Sequence, residues 1–298
     1  MGEPTGKKGI AIMAYDIFSI ISSGEAVKNP VSELEFDIII SRIRECSLLN
    51  GGDRVLDLAC GSGEFLVRAS TVLGVTGTGV ELQENYVEEG RKRIGEAKIP
   101  VEILQEDAVS FLAKGQKFDA ACCMGASEIF GGFRPELVSL QSALDPSGKG
   151  VIVIGDMVWE GEPDDKAAAN MGADPGSIPT HKSALALFQE KGLSLLDMVM
   201  ADLRGWDRMQ GSFWRNVHRW AAAHAGTEDA RAIKAEIEDW KRSYFEYRGS
   251  DLDSDMAKLA ADPVTQEWWA LCKPCQEPLP TRAPGEWWAN MEEVFHCE

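Results

Sequence analysis

Positive charge is what this sequence has too little of. Its 298 residues hold 30 Lys and Arg against 48 Asp and Glu, a formal net charge of -18. Neutralising phosphates takes clustered cations, so the deficit argues against DNA or RNA as a principal partner. Long apolar runs are missing too. No uncharged stretch reaches the roughly 18 residues that a bilayer-spanning helix needs. The N-terminal MGEPTGKKGIAIMAYD has no apolar segment of signal-peptide length. A cytoplasmic protein with no membrane partner is expected. Internal repeats and low-complexity tracts are absent. The seven cysteines (Cys46, Cys60, Cys122, Cys123, Cys272, Cys275, Cys297) are odd in number and irregularly spaced. They give no disulfide framework and read as free, packed thiols of a reducing compartment. Cys272 and Cys275 form a lone C-x-x-C. A closed zinc site needs four ligands, which His296 and Cys297 complete only on paper, so no metal is expected.

What is present is an ordinary globular composition, 44% apolar and 26% charged. The length suits one large α/β domain with an appendage, or two small domains. Ser32 and Glu35 form a capping-box pattern ahead of an apolar helical face. Short apolar runs at 54–60, 76–82, 101–107, 118–125 and 150–156 read as strands. Helical patterns at 64–73, 84–97 and 135–144 separate them. This alternation predicts a doubly wound parallel sheet, and the continuous apolar runs suit strands covered on both faces. Further on, 181–192 reads as a helix, 193–203 as a sixth strand, and 207–225 and 227–242 as amphipathic helices.

The strongest chemical signal is Asp57-Leu58-Ala59-Cys60-Gly61-Ser62-Gly63, a strand running into a glycine turn that a helix follows. Glycine lets such a turn bend tightly and lets the backbone approach a ligand. Glu81 ends the next strand, where a carboxylate can accept both ribose hydroxyls of a nucleoside. In the dinucleotide fingerprint G-x-G-x-x-G the third glycine would fall at Leu66. A mononucleoside therefore fits better than a pyrophosphate-bridged pair.

These residues resemble motif I of the class I S-adenosylmethionine-dependent methyltransferases. VELQENYVE (80–88) resembles motif II, QEDAVSF (105–111) the adenine-reading segment, and FDAACCMGAS (118–127) the strand ending beneath the sulfonium. The resemblance spans about 30–203 and implies a Rossmann-like α/β fold with a mostly parallel seven-stranded sheet, helical lid elements and a C-terminal appendage. It implies S-adenosyl-L-methionine as cofactor, held by Asp57, Ala59, Gly61, Gly63, Glu81, Leu82, Asp107, Ala108 and Met124. Glu106 replaces Asp107 if the strand slips by one residue. NPVS (29–32), MGASEIFGGF (124–133), GDMVWEGEP (155–163) and GWDRMQGSFWRNVHRW (205–220) resemble a bacterial small-molecule group of that superfamily.

Candidate substrate contacts are Phe133, Trp159, Trp206, Trp214 and Glu128, within an aromatic set that also includes Tyr15, Phe18 and Phe130. His218, Tyr15 and Asp156 are candidate catalytic groups, His218 as a general base. Met124 to Ser127 offer no base after the fourth strand. This leans towards a sulfur nucleophile, which needs none. Acids at Glu128, Asp156 and Asp207 favour an acceptor carrying an amine. The expected partners are a small-molecule substrate and, at most, a second copy of the chain.

Residues 243–296 resemble the C-terminal half of the L-rhamnose mutarotase family, through the FEY strand, DPVTQEWW, QEPLP, GEWW and MEEVFH. In that family the pair matching Trp268 and Trp269 contacts the sugar. The family's N-terminal half, with its catalytic His, has no counterpart here. The expected organisation is a methyltransferase domain over 1–242, with an N-terminal cap at 1–31 and a helical lid at 204–242, followed by a structural tail over 243–298. Either 243–249 or 291–298 is expected to supply an antiparallel seventh strand. The competing readings are a sugar-binding protein using the tail's tryptophans and a non-catalytic cofactor-binding scaffold.

Overall fold

A computed structural model describes residues 17–159, 161, 176, 178–248 and 252–261, excluding the side chains of 18, 247 and 252–261. The strands are β1 (Arg54–Leu58), β2 (Thr76–Glu81), β3 (Val101–Gln105), β4 (Ala120–Met124), β5 (Val151–Trp159), β6 (Ser194–Met200) and β7 (Leu252–Ala261). The helices are α1 (Ile17–Ile21), α2 (Glu33–Glu45), α3 (Glu64–Leu73), α4 (Glu84–Ala97), α5 (Ala108–Leu112), α6 (Phe133–Ala143), α7 (His181–Glu190), α8 (Leu203–Ala223) and α9 (Glu228–Tyr247).

The first five strands form a parallel central sheet in the order β3-β2-β1-β4-β5. β7 continues it, pairing antiparallel with β5 on one side and β6 on the other. The pleat sends alternate residues to opposite layers. Val55, Cys122 and Val153 face a core with Phe36, Ile39, Ile43, Phe65 and Leu66 of α2 and α3. Leu56, Cys123, Ile152 and Ile154 face a second core with Phe111, Leu137 and Phe188 of α5, α6 and α7. A satellite cluster joins α1 to α8 and α9 through Ile20, Ile21, Phe213, Val217, Ile233 and Ile237.

Side-chain caps set the helix starts. Asp202 accepts from the Gly205 N–H at 3.0 Å, and Thr227 from the Ala230 N–H at 3.1 Å. The Glu35 carboxylate reaches back to the Ser32 N–H at 2.6 Å.

The structure departs from the sequence-based elements at two places. The expected strand at 243–249 is instead the end of α9, which runs to Tyr247. Ile233, Ile237, Trp240 and Tyr244 recur at helical spacing. Trp240 meets Phe213 at 6.0 Å and Tyr244 meets Trp214 at 5.8 Å, both edge-on. The antiparallel strand is formed by 252–261; the other expected strand, 291–298, lies outside the described residues. After β3 the chain also forms α5, because Asp107 caps it by accepting from the Ser110 N–H at 2.7 Å.

Candidate functional site

β1 delivers Asp57 to the carboxyl end of the sheet. The chain then turns through Ala59, Gly61 and Gly63, at φ of 52°, 56° and 73°. Glycine adopts this left-handed region freely, whereas Ala59 takes it at a cost of about 1–2 kcal/mol. The turn is tied to β2. One Glu81 oxygen accepts from the Gly61 N–H at 2.9 Å, and the other from the Gln83 N–H at 2.8 Å. α4 presses on the turn at Gly90, where a Cβ would stand 3.0 Å from the Ser62 carbonyl oxygen. Leu66 occupies the place of a third glycine. Its Cδ atoms come within 3.1 and 3.3 Å of where Cβ atoms of Gly77 and Gly79 would be. Glycines on β2, not on α3, thus give the helix its close approach.

The turn opens on a cleft between the ends of β1 and β4, where the strand order reverses. Open α/β sheets bind ligands at such a point. Asp57, Ala59, Gly61 and Met124 line it together. Asp57 is only 2% exposed; desolvation, reinforced by the Glu81 charge, pushes its carboxyl up to about 8.

Residues 22–31 cross this cleft as a strap without regular secondary structure. On one side the Ser22 hydroxyl meets the Tyr86 hydroxyl at 2.6 Å. Lys28 Nζ donates to Glu89 at 3.0 Å, and Ser62 Oγ donates to the Ala26 carbonyl at 3.2 Å. On the other side α8 grips it. Asn216 Nδ2 donates to the carbonyls of Ile21 and Ser23, each at 2.9 Å, and Arg208 to that of Pro30 at 2.8 Å.

The remaining expected residues scatter. Glu81 closes the turn, Gly63 caps α3, and Leu82 lies exposed at the end of β2. Asp107 is exposed at the end of β3, its carboxyl held below the usual range by the Ser110 N–H, and Ala108 is buried behind it. Asp156 is buried and accepts from the Ser127 N–H at 3.1 Å and the Met157 N–H at 2.6 Å. Glu128 sits in the turn that Asp156 holds; partial burial and the Asp156 charge push its carboxyl up. Trp206 is half-buried. Tyr15 lies outside the described residues.

Five expected residues need correcting. His218 does not face the cleft: it is half-exposed on α8, 3.1 Å from Lys241 Nζ on α9. Trp214 is wedged between the same helices, against Tyr244 and Phe245. Phe133 and Trp159 are core residues at 2% and 0% exposure, Phe133 edge-on to Phe188 at 6.1 Å. Asp207 does not extend the acidic pair, because Arg248 at 2.7 Å and Tyr244 at 2.8 Å engage it.

Sequence reasoning missed the strap residues Lys28 and Asn29, both of which line the cleft. The Oδ1 atom of Asn29 is buried and has no partner among the described residues. Buried acceptors are normally satisfied, so it suits a ligand N–H donor. Together with Asp57 and the bare glycine turn it fits a ligand carrying an ammonium group. Also among the described residues, no group of three or more His, Cys, Asp or Glu is placed to hold a metal, and no helix is long and apolar enough to cross a membrane.

A doubly wound sheet with a glycine turn tied to the acid of the next strand defines a nucleoside-binding α/β class. Residues 55–148 match the methyltransferase-domain family, and residues 240–297 match the L-rhamnose mutarotase family. The uncharacterized protein YjhP of Escherichia coli is 29% identical over 235 residues, covering 78% of this chain and 92% of its own. Methyltransferases from Geobacter sulfurreducens and Thiobacillus denitrificans, both in complex with S-adenosyl-L-homocysteine, superimpose with TM-scores of 0.71 at 27% identity. The former comparison covers 82% of this chain and 96% of its counterpart, the latter 83% and 97%. The protein is an S-adenosylmethionine-dependent methyltransferase.

Proposed function

We propose that this enzyme methylates a sulfur or nitrogen nucleophile of a small, amino-acid-like metabolite. The observation that carries the reading is a buried acid, Asp57, beside a glycine turn that Glu81 holds in place. Bound in the cleft, the cofactor supplies an electrophilic methyl group for in-line displacement. Asp57 takes its ammonium end. Glu81 keeps a further lone pair on each oxygen for the ribose hydroxyls. Leu82, Asp107 and Ala108 would hold the base, and Met124, which lines the cleft, would face the sulfonium.

Glu128 and Asp156 support an amine-bearing acceptor. They stand close together, Glu128 after β4 and Asp156 in β5 just past its ladder with β4, beyond Met124. Glu128, its carboxyl raised by partial burial, is suited to take the proton that an ammonium acceptor must lose before its free amine attacks the methyl group. A thiolate acceptor would not need it. Methyl transfer from labelled S-adenosylmethionine to a panel of thiols and amines tests this. Transfer to an amine, lost in Glu128→Gln, supports it; transfer confined to nucleic acid or protein overturns it.

We read the segment from 243 onward as structural, since ten of its residues form β7 between β5 and β6. Trp268 and Trp269 lie outside the described residues. A sugar-binding role would appear as saturation transfer from L-rhamnose in NMR.

A further inference from the structure

We propose that Lys28 binds the carboxylate of the cofactor's methionyl group, so that the strap is itself part of the cofactor site. The proposal rests on the cofactor reading of the cleft. A methionyl end is a zwitterion and needs recognition of both charges. Asp57 and the unpartnered Asn29 Oδ1 can serve only its ammonium. Its carboxylate is best met by a cation, and among the described residues that line the cleft Lys28 alone is basic. The lysine stem lies across the turn, with Cγ 3.5 Å from where a Cβ of Gly61 would stand.

The ammonium now serves as a staple. It donates to the Glu25 carbonyl, to the Ser22 carbonyl at 3.2 Å and to Glu89 at 3.0 Å. Glu89 has a second partner, Arg93, at 2.7 Å. Lys28 can therefore exchange Glu89 for a ligand carboxylate without leaving Glu89 alone. Burial pushes the Lys28 ammonium towards its neutral form, which an added anion opposes. Glu64, the other acid on this side, is already engaged by Arg68 at 2.7 Å and Arg93 at 2.5 Å. It offers the incoming carboxylate little repulsion.

Calorimetry with two ligands isolates the carboxylate: S-adenosylhomocysteine and its decarboxylated analogue, S-adenosyl-3-thiopropylamine. Lys28→Met is expected to weaken S-adenosylhomocysteine by about tenfold or more while leaving the analogue within about twofold. Lys28→Arg is expected to restore the difference. If Lys28→Met does not fold, Lys28→Gln is measured in its place. Equal losses for both ligands would reduce Lys28 to a staple of the strap, and an unchanged S-adenosylhomocysteine affinity would remove it from the site. Wild-type protein that binds neither ligand overturns the cofactor reading itself.

Discussion

A carboxyl buried beside a second carboxylate holds its proton into the neutral range, and Asp57 does so with its titration pushed to about 8. Because that value is raised above the ordinary 3.8, the stability it contributes is full below about pH 3.8 and is lost as pH rises through about 8. A ligand ammonium reverses the preference, so cofactor binding at pH 7 should expel a proton. Titrating S-adenosylhomocysteine in buffers of different ionisation enthalpy is expected to give different heats for wild type and equal heats for Asp57→Asn. Equal heats for wild type would contradict the protonated resting state. Glu81→Ala leaves the Gly61 and Gln83 N–H groups without their charged acceptor. It is expected to destabilise the fold by roughly 1.5–3 kcal/mol, read from denaturant midpoints, and to weaken cofactor binding. Glu81→Gln, which keeps one acceptor oxygen, should lose less. Asp57, Gly61 and Glu81 were legible because their spacing is local to one strand-turn-helix-strand unit. Lys28 and Asn29 were not, because a strap without regular structure has no period to betray which residues point inward. His218 and Trp214 misled because α8 is flanked by both α1 and α9, and an amphipathic pattern does not say which partner covers which face.

The strap is the element on which access to the cleft depends, and it is held by side chains rather than by a backbone ladder. Asn216 alone donates to the Ser23 carbonyl of the strap and to the Ile21 carbonyl that leads into it. Asn216→Ala is expected to cost about 1–3 kcal/mol and to raise amide exchange in residues 22–31 while leaving β1 and β4 protected. Unchanged exchange in the strap would show that α8 does not clamp it. The central strands were legible as continuous apolar runs because both sheet faces are covered. β7 was not. Its LDSDMAKLAA pairs two acids with small residues, a poor strand composition that the ladders to β5 and β6 override. The end of α9 was misjudged for the complementary reason. SYFEY is rich in strand-favouring aromatics, yet Tyr244 is drawn onto Trp214 and Asp207.

At the scale of the molecule, β6 reaches the sheet only through β7, which lies between it and β5. The mutarotase-like segment thus supplies a pairing that the methyltransferase sheet uses. Truncation before Leu252 is expected to lower the thermal midpoint by several degrees or to abolish soluble expression, since it strips two inner strand edges. A truncated protein with an unchanged midpoint would argue that the tail is dispensable. One cleft, roofed by the strap, is the proposed seat of S-adenosylmethionine across the glycine turn. A crystal structure of the complex with S-adenosylhomocysteine decides this. Ribose hydroxyls on Glu81 and the amino-acid end between Asp57 and the strap are the expected result; a ligand seated elsewhere, with Glu81 untouched, would rule the placement out.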